Sequence, residues 1–168
     1  MIDQLKTILL AMWLGAALLF GAIVAPAVFT VLHSFDLANA NEIAGSIVTR
    51  TLEVVNVSGF VIGVVCFVTA LFLQSTGKGL RRIETLALAI FVVATGVGQW
   101  FIAARMRGLR AAMGIIDSIP LTDPRRLEFS RLHQYSVMTL GIALIMVVIA
   151  LITVSIRIRT INTGGSHR

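Results

Sequence analysis

Four stretches of the chain carry no charged residue and are almost continuously apolar: Thr7 to Leu32, Val54 to Gln74, Thr85 to Ala104 and Gln134 to Ile156. Each reaches the roughly 20 residues that a helix needs to cross a hydrocarbon core about 30 Å thick. Strands of a membrane barrel would alternate apolar and polar positions over about ten residues, and these runs do not, so the pattern predicts helices. Four crossings put both termini at one end of the bundle, called proximal below; the opposite end is distal. The expected fold is an all-α, four-helix membrane bundle formed by residues 1–160 as a single domain, with 161–168 as a flexible tail.

The pattern also predicts that three helices outrun their apolar cores at the distal end. Asn39 or Asn41 supplies a cap for a helix that continues through the second run with no proline to interrupt it. The third run has no breaker after Ala104 until the turn signals near Pro120. Asp123-Pro124 then pairs a capping carboxylate with proline at the first helical position, which starts the fourth helix about ten residues ahead of its apolar run. Helices two to four are expected to reach about 35 residues, or about 52 Å at 1.5 Å per residue, and to protrude together. The proximal link, STGKGLRRIE, reads as a short turn.

Composition sharpens the class. Of 168 residues, 57% are hydrophobic and 13% charged, against roughly 25% charged in soluble domains. The net charge of +6 comes from 14 Lys and Arg residues set in short groups beside the apolar runs, which suits lipid headgroups rather than nucleic acid. Lys6 and the Ala25-Pro26-Ala27 element imitate a secretory signal, but the first run is about twice the usual length of such a segment, so it reads as a retained helix. Cations divide seven to seven between the two ends. The proximal ones are concentrated in a short loop and a tail, which favours cytoplasmic termini and an inner-membrane location. Cys66 stands alone, so neither an intrachain disulfide nor a cysteine metal cluster is available.

Polar residues converge on one depth. His33 ends the first helix distally, Glu53 and Asn56 enter the second run there, Gln99 leaves the third, and His133 and Ser136 enter the fourth. These residues read either as interfacial groups bonding one another and water where the bilayer ends, or as a small polar pocket with His133 facing the interior within reach of His33, Glu53 or Asn56; ionisable groups near a membrane often mark a ligand site or pathway. Small residues also align at 100° per residue: Ala11, Gly15, Ala22, Pro26 and His33 on helix one, and Asn56, Gly59, Gly63, Cys66 and Ala70 on helix two. These stripes, with Gly96 on helix three, are expected to seat the helices against one another. Pro26 should kink helix one. Trp13 and Trp100 read as interface or lipid-facing residues. Two histidines on different helices raise a haem or copper site, but no H-x-x-E or C-x-x-C spacing accompanies them, so no metal or cofactor is expected. Phosphate loops, nucleophile elbows and paired intramembrane carboxylates are missing, and nothing points to an enzyme.

The run WLGAALLFGAIVAPAVF in helix one, NEIAG at the start of helix two and FSRLHQYS at the start of helix four resemble the four-helix membrane family that includes transmembrane protein 205 and many bacterial proteins. Ala25-Pro26-x-x-Phe29, Ala44-Gly45, and Phe129 with His133 and Ser136 carry most of the likeness. The family commonly has glycine after the histidine, where this chain has Gln134. The resemblance implies the four-helix fold; the human member's association with platinum-drug resistance and secretory trafficking defines no molecular activity. Three functions follow in order of preference: an accessory or structural protein binding a membrane lipid, a membrane protein partner or another copy of itself; a small-solute transporter or channel subunit using the polar pocket; and a haem or copper carrier.

Overall fold

A computed structural model describes residues 2–72, 78–114, 119–120 and 122–164. Four helices long and apolar enough to span a membrane make up the bundle: α1 (Ile2–His33), α2 (Ala40–Phe72), α3 (Gly79–Met113) and α4 (Pro124–Gly164). No strand occurs among the described residues. Each helix packs against its sequence neighbours, and α1 closes the ring against α4. Helices α2, α3 and α4 contain 33, 35 and 41 residues. Residues 40–53 of α2 and 105–113 of α3 are helical beyond the apolar runs. Helix α4 continues to Gly164, so residues 161–164 extend it instead of beginning a loose tail; residues 165–168 lie outside the described residues. The proximal link is also more helical than its composition suggests, since α3 already includes Gly79 to Glu84; residues 73–77 lie outside the described residues.

Two π turns interrupt this regularity, Phe20–Val24 in α1 and Val97–Ala103 in α3. The first immediately precedes Pro26. Proline has no amide proton for the carbonyl four residues earlier, and the widened turn lies directly ahead of it. The second surrounds Gln99 in the segment that begins after Gly96. At the distal end of α3, Gly114 adopts φ 68°, a backbone conformation that side chains rarely tolerate, and its amide donates to the Arg110 carbonyl at 3.1 Å to end the helix.

The face that α1 presents to the bundle differs from the expected one. Lys6, Leu10, Trp13, Ala17 and Phe20 are buried, while Ala11, Gly15, Ala22 and Pro26 are exposed. The reason is asymmetric packing. Small residues line α2, where Asn56, Gly59, Gly63, Cys66 and Ala70 are all buried, so α1 fills the space with a large ring instead of matching it with another small stripe. Trp13, expected at the lipid surface, is only 4% exposed. Its indole N–H donates to the Val55 carbonyl at 2.9 Å, and its ring meets Phe91 edge-on at 4.7 Å. A methyl group at Gly59 would lie 2.6 Å from the indole nitrogen, and one at Gly63 would lie 2.9 Å from Phe91. Gly96 rests in ordinary contact with Phe60, 3.4 Å from where its Cβ would stand. Trp100, by contrast, is half exposed and packs edge-on against Phe60 at 4.7 Å.

At the proximal end, four charges from three helices leave water together. Lys6 Nζ lies 2.8 Å from Glu84 Oε1 and 3.1 Å from Asp3 Oδ1. Arg157 donates through one Nη to Glu84 and through the other to Asp3. The side chains of Lys6, Glu84 and Arg157 are at most 4% exposed, and Asp3 is 31% exposed. Two cations and two anions sum to zero, so each charge has an opposite neighbour, and only Asp3 keeps contact with the outside. Removing one member of such a set strands the others, which typically costs about 3 to 5 kcal/mol, whereas an exposed pair contributes about 0 to 1 kcal/mol.

Two outcomes follow for purified protein in detergent. Gly59→Ala should overpack the Trp13 seat and lower the unfolding free energy by about 1 to 3 kcal/mol, while Gly15→Ala, with nothing within 4 Å of its added methyl, should leave it unchanged or slightly higher; thermal melts of both variants would check this. Glu84→Gln should destabilise by about 3 to 5 kcal/mol. Glu128→Gln, which removes only the exposed partner of Arg105, should cost under about 1 kcal/mol, and equal losses would show that the buried set is not holding the helices.

Candidate functional site

The six polar residues that share the distal depth divide into three groups. Glu53, Asn56 and Gln99 form the first. The π turn of α3 carries Gln99 inward, where it is 4% exposed; Asn56 is equally buried. The glutamine amide nitrogen donates to Glu53 Oε1 over a long 3.4 Å, and Glu53 also lies 3.6 Å from Arg50. Gly98 makes room for this layer, since a methyl there would stand 3.4 Å from the Asn56 amide and 3.7 Å from the Thr139 hydroxyl. Gln99 Oε1 is buried with no hydrogen-bond partner among the described residues, leaving one acceptor open inside the bundle.

His133 and Ser136 form the second group, on α4. Ser136 is buried at 7% exposure, whereas His133 is exposed and takes no hydrogen-bond partner among the described residues. The physical reason is rotation: the buried face of α4 runs through Ser136, Ala143, Val147, Ala150 and Val154, and three residues back from Ser136 leaves His133 about 60° off that line. His133 therefore stands on the wall of a groove rather than in the interior. His33 is the third group by itself. It is exposed at the end of α1, and its Nδ1 is bonded to the Phe29 carbonyl at 2.7 Å in its own helix. Among the described residues no group of three or more His, Cys, Asp or Glu side chains could share a metal ion.

The groove that His133 borders lies between α1, α2 and α4, with α3 joining its outer wall. Its inner part, about 300 Å³, is walled by Phe20, Ala25, Pro26, Leu52, Ser136 and Leu140, and opens on the lipid-facing surface beside Gly21 and Val137. The outer part, about 550 Å³, is walled by Asn41, Gly45, Thr49, Arg110, Arg126 and Phe129. Phe29, Val48 and His133 belong to both, which makes the two one continuous cleft. A further cavity of about 640 Å³ lies between α2 and α3 at the proximal end, with Phe67, Arg82 and Leu86 on its walls. There Arg81 donates to the Leu71 carbonyl at 2.8 Å near the end of α2.

Arg110 is the side chain of the distal groove that spacing alone did not single out. Its guanidinium lies 5.5 Å from the centre of the Phe129 ring and 3.7 Å from Glu42. Arg110 Nε and Glu42 Oε2 are both buried without a hydrogen-bond partner among the described residues, so the pair is held by charge and not by a bond. The guanidinium passes directly over Gly45, where a methyl group would collide with it. The signal available in the sequence was Gly45 itself, a small residue one turn after Glu42, opposite a helix rich in arginine.

The outer wall depends on the start of α4. Asp123 accepts the Arg125 amide at 2.8 Å and the Arg125 guanidinium at 2.9 Å, while its own carbonyl accepts the Leu127 amide at 3.0 Å, which fixes the first turn carrying Arg126 and Leu127. The guanidinium of Arg125, then its backbone amide, lower the Asp123 carboxyl from 3.8 to about 2. Because the folded value is depressed, the stabilisation is complete above the ordinary carboxyl range and is lost as pH falls through about 3.8 toward 2. NMR titration of the Asp123 carboxyl should give a midpoint near 2 in the wild type, and Arg125→Ala should return it toward 3.8.

With this geometry in place, comparison with known proteins adds one finding. The family model described as a domain of unknown function, DUF4149, matches residues 8–114. No curated protein and no solved structure matches the chain. The matched segment includes the span-forming part of α1, all of α2 and all of α3, hence three of the four helices that line the distal groove and all of the Glu53–Gln99 layer. The chain is an integral membrane member of this DUF4149 family, whose activity is undefined.

Proposed function

We propose that this chain is an accessory or structural protein of the bacterial inner membrane, with both termini cytoplasmic, that works by binding a partner in the distal groove. One observation supports this above others. Eight residues far apart in sequence carry most of the resemblance to the transmembrane protein 205-like family, and seven of them, Ala25, Pro26, Phe29, Gly45, Phe129, His133 and Ser136, border this single cleft, while Ala44 is buried beside it in sequence. Residues needed only for packing would be spread through the bundle. The same convergence is our reason for extending the kinship to that family, and the grouping of proximal cations in a short loop and a tail is our reason for the orientation. The groove is also open to lipid along its inner part, so a partner from the membrane, whether lipid, a second membrane protein or another copy of this chain, can enter sideways.

A second reading, a small-solute transporter or channel subunit, draws on a different feature, the open Gln99 acceptor on its π turn beside Asn56. The two separate cleanly. Val48→Trp fills the groove from its middle, and species that co-purify with the wild type from native membranes should fall by about tenfold, the effect of about 1.4 kcal/mol. Ile145→Trp, on an exposed part of α4 outside the groove, should change nothing. A co-purification profile identical in wild type and Val48→Trp would overturn the binding reading; solute uptake lost in Gln99→Leu but not in Val48→Trp would replace it with the transport reading.

A further inference from the structure

We infer that the occupant of the distal groove is an anionic phospholipid of the surrounding bilayer, its headgroup held by Arg110 in the outer part and one acyl chain lying in the inner part. This rests on the binding reading above and goes further by naming the ligand chemistry. The cleft changes character along its length. The inner half is apolar apart from Ser136 and His133 and opens beside Gly21 and Val137, both exposed on the surface of an apolar span, so a chain can enter from the bilayer without crossing water. The outer half carries Arg110 and Arg126, with His133 at the junction, and among the described residues no carboxylate lines either half.

The state of Arg110 identifies the headgroup chemistry. Glu42 approaches it only to 3.7 Å, and Arg110 Nε is buried without a hydrogen-bond partner among the described residues. A guanidinium so placed can still form directed bonds to phosphate oxygens, which it matches in geometry and charge. Gly45 contributes by what it lacks: any side chain there would push the guanidinium out of its place over α2. Basic pockets between membrane helices at headgroup depth suit anionic lipids for the same electrostatic reason. A peptide helix would need a longer apolar trough, and a neutral solute would not need the cation.

The test uses the full chain in detergent, titrated with phosphatidylglycerol or phosphatidylcholine and read by native mass spectrometry. Wild type should retain phosphatidylglycerol about tenfold more strongly than phosphatidylcholine. Arg110→Gln should bring the two to parity, and Arg131→Gln, an exposed cation outside the groove, should preserve the preference. Val137→Trp, on a side chain 58% exposed at the inner opening, leaves every charge in place and should weaken both lipids together, so the proposal stays testable if Arg110→Gln does not fold. Equal retention of the two lipids by wild type overturns the inference, as does an undiminished preference in Arg110→Gln or retention untouched by Val137→Trp. If any of these occurs while Val48→Trp still strips a co-purifying protein, the groove binds a protein and only the lipid assignment falls. If Val48→Trp strips nothing, the groove reading falls with it.

Discussion

The neutral set of Asp3, Lys6, Glu84 and Arg157 is the interaction on which the rest of the bundle depends. Three of its side chains are almost wholly removed from water, and each would be costly there alone. Satisfying all four at once leaves α1 little freedom to slide or rotate against α3 and α4. That register brings Trp13 opposite Gly59 two turns further along, and the indole in turn fixes the face of α1 that looks inward. The outward position of Gly15 and Ala22 is thus settled partly by charges at the opposite end of the helix.

The distal groove can be understood as the place where this tight packing is released. From Lys6 to Phe20, α1 keeps one face against its neighbours. The π turn before Pro26 then inserts an extra residue into the helical turn, and from Ala25 to His33 no residue of α1 is buried. Aromatic and aliphatic side chains that would otherwise meet a partner helix are left as the walls of a cleft. The same device in α3 has the reverse result, turning Gln99 into the interior. One π turn opens space and the other fills it with an amide.

The fold was legible in the sequence because a membrane imposes a simple rule: uncharged apolar runs of sufficient length become helices, and charged residues and breakers mark their ends. Depth was legible for the same reason, since Glu53, Asn56 and Gln99 enter or leave their runs at matching positions. Rotation was much less so. A stripe of small residues says that something packs closely, but Gly59 receives a tryptophan and Gly15 receives nothing, and no spacing rule distinguishes them. His133 shows how little separates a buried position from a groove wall on a helix. The proximal charges were visible as flanking residues, which are usually solvated, and only the pairing of the two proximal carboxylates with two of the cations would have signalled a buried set.

That set also has a consequence for biogenesis. Asp3 and Arg157 meet across 154 positions of sequence, so α1 is synthesised well before the arginine that completes its charge set. Until α4 is in the bilayer, Lys6, Asp3 and Glu84 sum to one negative charge within this set. Arrival of Arg157 neutralises the set. The order of synthesis and the order of charge compensation coincide within this bundle, which ties α4 electrostatically to the family-matched segment that precedes it.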